Sequence, residues 1–164
     1  MCEEKPKRFI GLDVHKHYLV AMGVDGELKP VLGPQRVPLG HLESWMRRQL
    51  TAQDAVVLEM TTNALQLCDD LLPHVHSVTL VHPPQVALIT HAQVMTDQIA
   101  ALTLARLHAK GLLAGIWIPP AAVRDQRAVI AQRAKMTRLA TQAACAYPGR
   151  FGRPSLCRTA DRPT

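Results

Sequence analysis

The chain has 164 residues, 48% hydrophobic and 20% charged, a balance that fits one domain with a real core and excludes wholesale disorder. Aromatics make up only 4%, so Leu, Val, Ile, Ala and Met must build that core, and no apolar run approaches the roughly 20 residues that span a bilayer. The net charge of +6 is lopsided: residues 1–123 hold ten Lys/Arg against eleven Asp/Glu, whereas 124–164 hold nine against two. Such a basic end is the footprint of a polyanion partner, or else of a solvated helix face followed by a ragged tail.

Met1 to Arg8 is charged and lacks the apolar stretch of a secretory signal, so the expected location is the cytoplasm, with no membrane partner. Arg8 to Val14 (RFIGLDV) is a short apolar run closed by an acid, which predicts a buried strand. His17 to Val24 predicts a second strand, Asp25-Gly26 a hairpin turn, and Leu28 to Val37 a third strand that Pro30 and Pro34 mark as an irregular edge. Between Gly40 and Leu50 the apolar residues Leu42, Trp45, Met46 and Leu50 recur at helical spacing. Asp54 to Glu59 (DAVVLE) is another buried strand ending in an acid.

Thr61 or Thr62 is positioned to cap a helix whose residues Leu65, Leu67, Cys68, Leu71 and Leu72 face the core, and Pro73 stops it. Ser77 to Val81 predicts a strand and Gln85 to His91 a short helix or turn. Thr96 to Lys110 predicts a helix with Thr96 as cap, Asp97 in its first turn and Gly111 at its end. Ile116 to Ile118 is a candidate last strand. Ala121 to about Ala144 predicts a long helix with Val123, Val129, Ile130, Met136, Leu139 and Ala143 as its apolar positions, and with Arg124, Arg127, Lys135 and Arg138 along another side. From Tyr147 onward Pro, Gly and Arg occur without periodicity, and disorder is expected over 146–164. The order implies an α/β fold: three hairpin-linked strands continued by parallel ones in a mixed sheet covered by helices, over 8–119, then a basic helix over 120–145.

Two acids end otherwise apolar strands, Asp13 after FIGL and Glu59 after AVVL, where a carboxylate is costly without a partner. If these strands are neighbours, a spacing of about 4.8 Å brings the two acids together, and Asp97 opens a helix able to lie across that end. Oxygen ligands without cysteine or histidine favour Mg²⁺ or Mn²⁺, and a cation pair could drive in-line displacement at a phosphodiester. The structural alternative is that Asp13 turns a hairpin, Glu59 precedes a helix and Asp97 complements a helix dipole. Two HxH pairs, His15 with His17 and His74 with His76, read as surface or half-buried imidazoles, because no cysteine or third histidine lies nearby in sequence. The scattered cysteines (Cys2, Cys68, Cys145, Cys157) fit reduced thiols.

The stretches FIGLDVHKH (9–17), VVLEMTTN (56–63), VHPPQV (81–86) and TDQIAALTLARL (96–107) resemble the N-terminal domain of the DEDD-type insertion-sequence transposases. This is the insertion-sequence-one-ten family, related to site-specific DNA invertases, and the resemblance covers about residues 8–140. It implies an RNase H-like, RuvC-like fold whose acids bind Mg²⁺, with Asp13, Glu59 and Asp97 at the first three positions. It also implies DNA as substrate, a non-coding guide RNA as partner and a homo-oligomer. Lys16, Arg124, Arg127, Lys135 and Arg138 are then the expected nucleic-acid contacts. Three positions depart from the pattern: Ala100 where the fourth acid is expected, Met95 for a usual lysine and Thr62 for a usual glycine. The family continues into a second domain with a catalytic serine; Ser44, Ser77 and Ser155 lack that context, so a truncated transposase with little autonomous strand exchange is expected. The alternative is a non-catalytic nucleic-acid-binding remnant. An actin-like ATPase or sugar kinase fits poorly, because His15-Lys16 stands where small residues must approach phosphate.

Overall fold

A computed structural model describes residues 5–84 and 96–146. The expectations for 85–91, Met95 and the tail from 147 lie outside the described residues. The chain divides into two compact units, Met1–Ile118 and Pro119–Thr164.

The first unit is built on a five-stranded mixed sheet of order β3-β2-β1-β4-β5. Strands β1 (Arg8–Val14), β2 (Tyr18–Asp25) and β3 (Pro30–Pro38) are antiparallel neighbours, and β4 (Asp54–Glu59) and β5 (Ser77–Val81) continue from β1 in parallel. Strand β3 is an edge with register shifts around Gly23, as Pro30 and Pro34 imply. The β2–β3 turn is held by Asp25, whose Oδ1 accepts from the backbone N–H groups of Glu27 and Lys29, both at 2.9 Å. Leu28 there sits at φ 66°, a left-handed conformation that favours glycine.

Period-two alternation divides the sheet between its faces. Ile10, Leu12, Val56, Leu58 and Leu80 pack beneath α1 (Leu42–Gln49) and α2 (Ala64–Leu71), with Trp45, Met46, Leu67 and Leu71 completing the larger core. On the opposite face Val20, Met22, Val57 and Val81 meet α3 (Asp97–Ala109) through Ala101 and Leu104. Gly11 sets the closeness of that packing. A Cβ at Gly11 would lie 2.0 Å from the Ala101 carbonyl oxygen and 2.7 Å from the Ala105 nitrogen, so only glycine lets the helix backbone approach β1 this far.

Helix α3 starts and stops as its sequence implies. Thr96 Oγ1 accepts from the Ile99 N–H at 3.4 Å, and Gly111, at φ 67°, ends the helix in a Schellman pair of bonds, Gly111 to His108 and Leu112 to Leu107. Helix α2 differs from expectation. Its N-cap is Asn63, without a side-chain capping bond, because Thr61 is used in a turn whose carbonyl accepts from Ala64. Residues 116–118 form no strand. Ile116 donates a single backbone bond to Leu80 (2.7 Å), and Pro119-Pro120 supply no N–H to extend the pairing.

The second unit contains α4 (Ala121–Ala146). Helical periodicity places Arg124, Arg127, Lys135 and Arg138 on one stripe of it. Its apolar residues Val129, Ile130, Met136 and Leu139 are exposed. Cys68 is buried and outside any disulfide, whereas Cys145 is disulfide-bonded, which corrects the expectation of reduced thiols throughout. Among the described residues no helix is long and apolar enough to cross a membrane.

Candidate metal centre

Strands β1 and β4 run in parallel register from Arg8 beside Asp54 to Leu12 beside Leu58. The next residue on each strand is an acid, so Asp13 and Glu59 stand side by side at the C-terminal rim. Both lie on the Gly11–Val57 face, the face that α3 covers. The close approach at Gly11 lowers the first turn of α3 onto this rim and brings Asp97 to Asp13. Oxygen atoms of Asp13 and Asp97 and a ring nitrogen of His15 all lie within 4.8 Å of one another.

His15 is the residue that sequence reasoning set aside. Its Nε2 is 3.2 Å from Asp13 Oδ2 and 3.4 Å from Asp97 Oδ2, bridging two carboxylates that would otherwise repel. An Asp-x-His spacing at a strand end was the available signal, since residues two apart share a face. Tyr18 then organises the periphery. Its hydroxyl donates to Asp97 Oδ2 at 3.0 Å, and its ring stacks on His15 with centroids 4.6 Å apart. The guanidinium of Arg36 lies 3.7 Å from the Tyr18 ring centre. Arg36 faces Val20 across the β2–β3 ladder, on the same face, and shares a hollow with Asp97. An arginine distant in sequence thus reaches the site's edge. Neither Tyr18 nor Arg36 could be placed without the strand register.

The electrostatics follow from this crowding. Burial pushes the Asp13 carboxyl above its ordinary value, the pairing with His15 pulls it part of the way back, and the charge of Asp97 adds a further upward push. Burial likewise raises Glu59, with the charge of Asp13 adding to it. Tyr18 is raised chiefly by its hydrogen bond to Asp97, which keeps the phenol protonated as a donor. Two carboxylates and an imidazole at this spacing could hold a metal ion, and Glu59 stands beside Asp13 but outside that group. The imidazole corrects the all-oxygen donor set expected from sequence.

Ala100, one helical turn after Asp97, contributes no ligand. Lys16 is exposed in the β1–β2 turn beside His15. Arg124, Arg127, Lys135 and Arg138 belong to the other unit. Compared with protein-family models and with curated proteins, the chain matches none.

Proposed function

We propose that the Met1–Ile118 unit is an RNase H-like, RuvC-like domain of the DNA transposase class, in which Asp13, Glu59 and Asp97, with His15, hold Mg²⁺ or Mn²⁺. One observation carries this reading: Asp13 and Asp97, far apart in sequence, converge at one rim of the sheet, next to Glu59. The strand order, three antiparallel strands with β1 central and two parallel strands beyond it, supports an RNase H-like arrangement. A cation there would supply activation of an attacking water or hydroxyl and stabilisation of the leaving oxygen at a phosphodiester. The chain's own residues do the rest. Asp13 and Asp97 present the carboxylates, Tyr18 fixes the Asp97 rotamer, and His15 holds the two acids together. Lys16 and the basic stripe of α4 supply charge for DNA and a guide RNA. The exposed Val129, Ile130, Met136 and Leu139 suit a homo-oligomer contact, in a protein working in the cytoplasm.

A second reading, a nucleic-acid-binding domain without catalysis, is favoured by Ala100 in place of a fourth acid. Supercoiled and branched DNA incubated with the chain separates the two. Mn²⁺-dependent nicking or strand joining, abolished by EDTA and by Asp97→Asn, supports the transposase-class reading. Retarded mobility of the DNA with no metal-dependent breakage in any substrate supports the second.

A further inference from the structure

A cleft of about 810 Å³ opens at the same rim of the sheet, on the face of α1 and α2. Its floor is apolar, formed by Val14, Leu39 and Leu67 among others, and one wall is the β4–α2 loop with Thr61, Thr62 and Asn63. Among the described residues, none of these three side chains has an assigned hydrogen bond. Lys16, an exposed residue, also lines the cleft. His15 lines the cleft and also touches Asp13 and Asp97, so cleft and metal centre share a wall.

We infer that this cleft holds one unpaired nucleotide of the strand being processed, its base on the apolar floor and its phosphate on Lys16. The inference rests on the nucleic-acid reading above and names the occupant of its site. An apolar slot with a few uncommitted polar groups is the build of a small-ligand pocket, and the volume falls within the usual range of about 300–1,000 Å³. A base offers flat faces to such a floor and edge donors and acceptors to Thr61, Thr62 and Asn63. The Lys16 cation complements the anionic backbone, and the shared His15 directs the next stretch of strand to the carboxylates. Holding one base out of the stack would place the adjoining phosphodiester without sequence reading from the duplex.

The probe is deoxythymidine or deoxyadenosine 5′-monophosphate, titrated into the full chain and followed by backbone amide shifts. Saturable shifts at Val14, Lys16 and Thr61–Asn63 are expected. Thr62→Trp, a change at an exposed loop residue that fills the cleft, should remove them, and Lys16→Ala should weaken binding about fivefold, the size of one exposed charge contact. The free deoxynucleoside should bind weakly at the same residues. Shifts elsewhere, no shifts, persistence in Thr62→Trp, or full reproduction by inorganic phosphate alone would each overturn the inference. Cleft binding that fails while Mn²⁺ still binds at Asp13 sinks only this inference. Cleft binding that persists in a chain that binds no Mn²⁺ sinks the metal-dependent function instead.

Discussion

The two ends of the β1–β4 pair treat acids in opposite ways. At the N-terminal end Asp54 is fully buried and completely answered: Arg8 Nε donates to Oδ1 at 2.7 Å, Arg8 Nη2 to Oδ2 at 2.6 Å, and the Thr51 N–H to Oδ2 at 2.7 Å. At the C-terminal end Asp13 and Glu59 are half-buried, their carboxyls are raised by burial, and among the described residues only His15 answers Asp13 directly. One acid is consumed by the fold, while the others are left with capacity for a cation. The same two strands thus show what a structural carboxylate looks like and, within five residues of register, what an available one looks like.

Breaking the answered end should cost most. Arg8→Ala strands a buried carboxylate and is expected to destabilise by about 4 kcal/mol in chemical unfolding, with Mn²⁺ binding retained by the fraction that folds. Gly11→Ala should cost about 3 kcal/mol, because the new methyl drives α3 away from β1. It also lifts Asp97 from Asp13, so its Mn²⁺ affinity should fall more than its stability explains, as a parallel titration and melt would show.

The available end has a pH signature. Asp13 and Glu59 both hold protons more tightly in the folded chain than in the unfolded one. Their contribution to stability is therefore full below the ordinary carboxylate values and lost as pH rises through the raised ones. His108 acts the other way. Half-buried against Phe9, with no hydrogen-bond partner for Nε2 among the described residues, it has a lowered pKa and penalises acidification below the ordinary histidine range. Comparing the chain with Asp13→Asn/Glu59→Gln in EDTA cancels His108. The double variant should be the more stable at neutral pH, by less than about 1 kcal/mol for groups so exposed, and the gap should close on acidification. A gap that widens toward low pH contradicts this account of the rim.

The smallest effect belongs to the β2–β3 turn, which lies at the Arg8 end because Arg8 pairs with Asp25. Leu28→Gly relieves a left-handed leucine and should stabilise by about 0.5 kcal/mol without altering Mn²⁺ binding. A change in metal affinity would show that the two ends are coupled.

Much of this was legible in the sequence, for identifiable reasons. Asp13 and Glu59 stand out because a carboxylate closing an apolar strand is costly without a partner. The ends of α3 were readable from Thr96, Asp97 and Gly111, which act through local backbone chemistry. What escaped depends on register. Arg8 answers Asp54 only because β1 and β4 are parallel neighbours, and Tyr18 and Arg36 meet only across the β2–β3 ladder. His15 was discounted for want of partners nearby in sequence, yet one of its partners, Asp97, comes from a distant helix. In α4 the apolar periodicity was visible, but the exposure of Val129, Ile130, Met136 and Leu139 was not.

Calorimetric titration of the full chain with Mn²⁺ at neutral pH tests most directly whether the Asp13–His15–Asp97 cluster is a cation site. Saturable binding is expected, abolished by Asp13→Asn and by Asp97→Asn, weakened by His15→Ala and untouched by Glu43→Gln, an exposed acid already paired with Arg47. No saturable heat, or binding that survives Asp13→Asn unchanged, would contradict it.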